Sequence, residues 1–310
     1  MKLTLHTKLP LGELKISHKT IMTSVGSCFA DNIAASLQND GFNIEGNPLG
    51  ILYDPISIRN AVKVEFDRSP ASGVSFVKSA GLVDLNFHSS ITAATEEELA
   101  EEILSRKMKF WAGVQKGNII FVTFGTAWVY KHIKSNTYVA NCHKLPAEDF
   151  VKELLDGQDE YIKWMSELSA WQRVNPKIKV VFTVSPVRHS KNGLHENNVS
   201  KGILHLLVDK LVKKFDFVHY FPAYEIVLDE LRDYRYFKED LVHPSQLAVD
   251  YVYEKFEESY FSKKTKEASN VKRKLVQAQG HKFMNPTKQQ IDFHEKLIES
   301  LEQQFQNLIK

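Results

Sequence analysis

The stretch Ile21-Met22-Thr23-Ser24-Val25-Gly26-Ser27-Cys28-Phe29-Ala30 changes its period at a glycine. Before Gly26 it is a short apolar run. After it, Phe29, Ile33, Ala34 and Leu37 recur at helical spacing, so the segment reads as strand, turn, helix. The same alternation returns three times. Ile119-Ile120-Phe121-Val122-Thr123-Phe124 ends at Gly125, Lys179-Val180-Val181-Phe182-Thr183-Val184 ends at Ser185-Pro186, and Phe215-Asp216-Phe217-Val218-His219-Tyr220-Phe221 ends at Pro222. Continuous apolar strands separated by helical stretches imply an α/β chain with a mainly parallel sheet covered on both faces.

The intervening helices carry start signals. Thr95-Glu96-Glu97-Glu98 places a cap residue before acids and opens a helix with Leu99, Ile103 and Phe110 on its apolar face. Pro146-Ala147-Glu148-Asp149 reads as the start of another, carrying Phe150, Leu154, Tyr161 and Trp164. A third runs from Asn197 to Lys214 with Ile203, Leu206, Leu207 and Leu211 inside. A fourth opens at Pro244-Ser245 and buries Leu247, Ala248, Tyr251, Val252 and Phe256. Composition shifts after Tyr260, where Ser262 to Lys274 is charged and poor in apolar residues. From Lys288 on, Ile291, Leu297, Ile298, Leu301, Phe305 and Leu308 recur at helical or near-heptad spacing. Residues 1–261 therefore read as one α/β domain and 262–310 as a C-terminal helical hairpin. Its apolar stripe faces either the main domain or a partner, a homodimer through these helices being the second case.

The chain has 310 residues, 43% hydrophobic and 25% charged, which is ordinary globular composition. Its 40 basic and 38 acidic residues leave a net charge of +2, too little for the basic footprint of a nucleic-acid binder. No stretch reaches the roughly 18 uninterrupted apolar residues of a membrane span. Met1 to Lys8 has no apolar core of a leader, so a cytoplasmic protein is expected. The only cysteines are Cys28 and Cys142. They exclude a disulfide scaffold, and without a C-x-x-C pair they make a structural zinc site unexpected. No cofactor is expected.

Asp240-Leu241-Val242-His243-Pro244 puts a carboxylate three positions before a histidine. Asp can fix the tautomer of His and stabilise the imidazolium formed when His takes a proton. The base would then activate a hydroxyl or thiol brought in by folding, and Gly26-Ser27-Cys28 offers both. The same Asp-x-x-His pattern also fits a solvated pair at a helix start.

The whole pattern resembles the GSCFA family, a bacterial branch of the GDSL/SGNH hydrolases. Gly26-Ser27-Cys28-Phe29-Ala30 carries the family's name-giving motif, and Gly46-Asn47-Pro48-Leu49-Gly50, Asn141-Cys142-His143-Lys144, Ser185-Pro186-Val187-Arg188 and Asp240 to Pro244 match in order. The resemblance implies a flavodoxin-like three-layer α/β/α fold, with the site at the C-terminal ends of the strands. In the superfamily the first block reads Gly-Asp-Ser and its third residue attacks. Strict register therefore selects Cys28 as nucleophile, with Ser27 one position early. Ser27 as nucleophile remains open, as does a reading in which Ser27 only caps the helix. A helix N-terminus is expected to lower the pKa of a thiol placed there. His243 would be the general base and Asp240 its orienter.

The resemblance also implies an oxyanion hole built from the nucleophile's N–H, a glycine N–H and an asparagine amide. Gly46 is the favoured glycine. Gly125-Thr126-Ala127 has alanine where asparagine should stand, so Asn47 or Asn141 would have to supply the amide. His143 could line the pocket, His88 could belong to one wall, and Arg188 could bind a substrate carboxylate or phosphate or else pair with a protein acid. The expected activity is hydrolysis of an acyl ester of a sugar or small metabolite. The alternatives are acyl transfer through a Cys28 thioester, an inactive binding module, and an interaction protein acting through the C-terminal helices.

Overall fold

The glycine that ends the first apolar run is also where the chain turns. In the computed structural model, which describes residues 4–12, 14–63, 75–78 and 81–310, strand β1 (Ile21–Gly26) leads into helix α1 (Cys28–Asn39), strand β2 (Asn43–Gly46) and helix α2 (Pro55–Val62). Met1, Lys2 and Leu3, the first residues read for a leader, lie outside the described residues. An antiparallel pair, β3 (Ser75–Lys78) and β4 (Gly81–Asp84), precedes helix α3 (Glu96–Lys116) and strand β5 (Ile119–Phe124). Strands β6 (Trp128–His132), β7 (Thr137–Val139) and β8 (Phe150–Leu154) follow, then helix α4 (Gly157–Val174), strand β9 (Lys179–Val184), helix α5 (Leu194–Lys214) and strand β10 (Val218–Tyr220). The short α6 (Ala223–Glu225) runs into a π-helical segment at Ile226–Leu231. Helices α7 (Gln246–Tyr260), α8 (Lys263–Gln279) and α9 (Lys288–Ile309) come last.

The central sheet is parallel throughout, in the order β10-β9-β5-β1-β2. Counting only its own strands, this is the flavodoxin-like order 2-1-3-4-5, and the winding reverses between β1 and β5. Period-two alternation sorts the side chains onto two faces. Ile120, Val122 and Phe124 join Val180, Phe182 and Val184 in a core with Phe110, Trp164, Trp171 and Leu204 of α3, α4 and α5. Ile119, Phe121 and Val181 face Leu37 of α1 and Val252 and Phe256 of α7. Fully burying each such side chain contributes about 1.5–3 kcal/mol. This two-sided burial is why the strands read as unbroken apolar runs.

Gly26 sets how closely β1 and β5 approach at their ends. Its φ is +134°, and a Cβ there would stand 2.1 Å from the Thr123 carbonyl oxygen. Gly26→Ala is expected to cost about 1–3 kcal/mol through this clash and the left-handed strain. Urea midpoints measure it, and a variant as stable as the parent would mean that the strand ends part easily.

The helix expected at Pro146 begins later. Ala147–Asp149 form one 3₁₀ turn, Phe150–Leu154 form β8, and α4 is capped by Asp156, whose carboxylate accepts from the amides of Gln158 (2.8 Å) and Asp159 (3.2 Å). Antiparallel pairing of β8 with β6, Phe150 opposite His132 and Leu154 opposite Trp128, outweighs the local acid signal. Leu206 and Leu247, expected inside, are 65% and 60% exposed. The buried register of α5 runs through Asn197, Ser200, Lys201, Leu204, Leu207, Val208 and Leu211, and Leu206 falls outside it.

The C-terminal helices are present and pack on one another, and part of their apolar face meets the body of the chain. Phe305 is buried with Ala268 and Val271, and its ring lies 5.2 Å from that of His18. Arg273 of α8 pairs with Asp40 at the end of α1 and with Glu257 of α7. Ile291, Phe293 and Leu297, nearer the start of α9, face outward. No helix among the described residues is long and apolar enough to cross a membrane.

Candidate active site

The turn from β1 to α1 is held from three sides. Ser27 caps α1, its Oγ accepting from Phe29 N (3.3 Å), while its own N–H donates to Thr123 O (3.1 Å). Leu52 N donates to Gly26 O (3.0 Å), so the segment before α2 crosses the tip of β1. Asn47 clamps the remaining side. Its Oδ1 accepts from Gly26 N (2.8 Å) and its Nδ2 donates to Asp31 Oδ1 (2.5 Å). Ser27 is buried, whereas Cys28, the first residue of α1, is partly exposed. Burial pushes the Cys28 thiol up, and the nearby Asp31 carboxylate adds to this. The amides of Cys28 and Phe29 and the Lys238 ammonium act in the opposite direction without prevailing. The expectation of a thiol acidified by the helix start is therefore corrected: desolvation outweighs the helix amides, and the resting group at neutral pH is the thiol.

The second half of the site is built by a local turn. Leu241 adopts φ +55°, which bends the chain so that Asp240 Oδ1 accepts from the amides of Val242 and His243, both at 2.9 Å. Asp240 Oδ2 lies 2.6 Å from His243 Nδ1. These bonds hold the Asp240 carboxyl down at about 2. An ionised carboxylate only accepts, so Nδ1 carries a proton, and in the neutral ring Nε2 is the nitrogen with the lone pair. The pair is 47% and 44% exposed, so solvent screens it and its value lies in orienting the ring rather than in stability. Lys238 N to His243 O (2.8 Å) closes the turn, and Ser245 then caps α7.

Both halves meet at one cavity of about 580 Å³, at the C-terminal ends of β1, β5 and β9. Ser27, Cys28, Asn141, Arg188 and His243 line it, as do Cys142, His189 and the rings of Tyr53, Trp128 and Tyr130. Arg188 donates toward Leu241 O (3.5 Å), and its guanidinium lies 4.4 Å from the centre of the Phe237 ring. It thus braces the histidine turn. Asn141 Oδ1 accepts from His143 N (2.8 Å), which leaves its Nδ2 as a donor on the cavity wall.

Other expected residues lie behind this surface. Both ends of the Asn47 amide are engaged at the β1 turn, and Gly46 sits beside Ala34 and Ser24 at the sheet edge. Gly125 donates its N–H to Tyr53 O (2.7 Å), so that N–H is engaged in the fold. His143 is buried, with Nε2 at 3.0 Å from Asp84 O and 3.2 Å from Phe87 O. The Nδ1 of His88 lies 2.9 Å from Ser90 Oγ.

Helix α5 supplies a floor that the sequence reading passed over. Asn197 Oδ1 accepts from His189 N (2.9 Å), and Ser200 Oγ accepts from Ala127 N (2.7 Å). Lys201 Nζ donates to Gly125 O (2.6 Å) and Ser185 O (2.7 Å). One helix face thereby joins the tips of β5 and β9. Burial lowers Lys201 to about 7, and His189 is lowered to about 4, chiefly by desolvation and then by the charge of Lys201. Lys201 was detectable: it falls three residues before Leu204, in the apolar register of the helix.

No curated protein matches the sequence significantly. Three solved structures overlap the chain loosely. One, from Bacteroides fragilis and described as an acylhydrolase, is 9% identical with a TM-score of 0.41, over 83% of this chain and 89% of that one. A family two carbohydrate esterase from Clostridium thermocellum, in complex with cellohexaose, is 12% identical at 0.35, over 86% and 66%. A family 3 carbohydrate esterase from Talaromyces cellulolyticus is 8% identical at 0.33, over 76% and 94%. A model of the GSCFA family matches residues 21–256, from the first residue of β1 into α7. It takes in the β1 turn, the cavity floor and the Asp240–His243 turn, and the chain belongs to that family.

Proposed function

We propose that the protein hydrolyses acyl esters through Cys28, His243 and Asp240, as a GDSL/SGNH-type enzyme with sulfur in place of oxygen. One observation carries this reading: a histidine oriented by Asp240 and a partly exposed thiol at a helix start line the same cavity. Because the resting group is the thiol, His243 Nε2 takes the Sγ proton as sulfur attacks the ester carbonyl. The charge that develops on the carbonyl oxygen is met by the Cys28 amide at the start of α1, with the amide of Asn141, which lines the same cavity, as the second donor. The tetrahedral intermediate expels the alkoxide, which takes the proton from His243 and leaves a Cys28 thioester. Water, deprotonated by the same ring, then releases the acid and restores the thiol. An acceptor hydroxyl in place of water would give acyl transfer. The ring of Tyr53, which lines the cavity, suits the apolar face of a sugar.

Ser27 is the alternative nucleophile, since it lines the same cavity. Its burial and its bond to Phe29 N favour Cys28. The acetylated enzyme formed on a chromogenic acetyl ester, read by intact mass, separates the two. Under the proposal Ser27→Ala still accumulates an adduct that neutral hydroxylamine releases, and Cys28→Ala forms none and loses about 10³-fold or more in kcat/KM. An adduct retained in Cys28→Ala and lost in Ser27→Ala would transfer the role to serine. Loss of neither would leave only a binding cavity.

A further inference from the structure

One side of the cavity holds cations that no described residue neutralises. Lys152, on β8, lies 5.3 Å from the centre of the Trp128 ring and 5.4 Å from that of Tyr130, so two aromatic faces hold its ammonium at the wall. Lys191, in the loop after β9, lines the same cavity. Among the described residues neither lysine has a carboxylate within 4.0 Å. His189 lies among the ammonium groups of Lys201, Lys152 and Lys191, all of one sign.

The acids near the cavity are spent elsewhere. Asp54 accepts from Ser57 N (2.9 Å) and Ser57 Oγ (2.6 Å), Asp31 is bonded to Asn47, and Asp240 holds His243. The cationic side is also distinct from the nucleophile. The acid and the base that act most on Cys28 are Asp31 and Lys238, whereas the charge that acts most on Lys152 is Lys191. Clustered like charges in a partly desolvated cleft repel one another, and a bound anion reverses that cost.

We infer that the substrate bears an oxyanionic group, a phosphate or a carboxylate, which Lys152 and Lys191 hold while its ester reaches Cys28. The ester half of this statement rests on the hydrolase reading; the anion subsite does not. A cavity of about 580 Å³ has room for a small acylated metabolite with both groups.

Three acetyl esters with related leaving groups test it: phenyl acetate, 4-acetoxybenzoate and 4-acetoxyphenyl phosphate. Each is assayed with the intact protein at low and high sodium chloride. The anionic esters are expected to exceed phenyl acetate in kcat/KM by about tenfold or more, with the advantage shrinking as salt rises. The ratio of anionic to neutral kcat/KM should fall about tenfold in the Lys152→Gln/Lys191→Gln double variant and persist in the Lys152→Arg/Lys191→Arg control. Whichever anionic ester leads identifies phosphate or carboxylate. Equal rates on all three, or a preference that survives the double Gln variant, overturns the inference. Calorimetric titration with inorganic phosphate and with benzoate separates it from the hydrolase reading. Binding that the double Gln variant abolishes, without turnover of any ester, leaves the subsite standing and removes the enzyme; turnover without anion binding or preference does the reverse.

Discussion

Replacing His243 with alanine is expected to lower kcat/KM on a simple acetyl ester by about 10³- to 10⁴-fold at neutral pH. The size follows from the state of the thiol. Burial and Asp31 keep Cys28 protonated, so attack needs a base at the moment of reaction. The ring whose Nδ1 is bound to Asp240 has its other nitrogen available for that work. The fold should tolerate the change, because the pair is about half exposed and the turn keeps its Asp240–amide bonds and the brace from Arg188. Raising the pH should restore part of the variant's activity, since a thiol with an elevated pKa ionises unaided only in alkaline solution. A misfolded protein would show no such recovery. Asp240→Asn should fall between the variant and the parent, its amide still accepting from the turn but no longer fixing the tautomer. Turnover in His243→Ala within threefold of the parent, at neutral pH, would eliminate the proposed base.

How much of this could be read from the chain depended on how local each feature is. The parallel core was legible because two-sided burial writes itself as unbroken apolar runs at 21–25, 119–124 and 179–184. The Asp240–His243 contact was legible because three residues and one turn make it. Strand β2, Asn43-Ile44-Glu45-Gly46, was not: a short edge strand with one buried face carries little pattern. The β7-β6-β8 sheet was hidden because Phe150 to Leu154 mixes apolar and charged residues in a way that fits helix or strand equally, and only pairing with Trp128–His132 decides. The role of Asn47 depends on Gly26 and Asp31, one contact reaching back 21 residues and the other 16. A loop asparagine offers no sign of which distant amide it will meet. Ala127 stands where the resemblance to GDSL/SGNH hydrolases led us to expect asparagine, and its backbone N–H donates to Ser200 of a helix 73 residues away.

Lys201 should make the protein more stable as the solution turns alkaline. Its ammonium is buried, donates to two backbone carbonyls, and has a pKa lowered to about 7, against about 10.4 in an unfolded chain. Between those values the unfolded state binds the extra proton, so unfolding free energy rises with pH. Below about pH 7 both states are protonated, the full desolvation cost is present and the curve is flat. Lys201→Met keeps most of the stem, loses the titration and leaves Gly125 O and Ser185 O without the amine, a cost that does not vary with pH. The stability of the parent relative to this variant should therefore climb by about 2 kcal/mol from pH 7 to pH 9, at slightly less than 1.4 kcal/mol per unit. Urea unfolding at both pH values measures it, and other titrating groups cancel in the difference. A second readout needs no unfolding. The charge of Lys201 helps hold His189 near 4, so the His189 ring should titrate higher in Lys201→Met, as followed by its NMR shift. A pH-independent stability difference together with an unmoved His189 would mean that the amine is solvated. The floor beneath Gly125 and Ser185 would then be open to water.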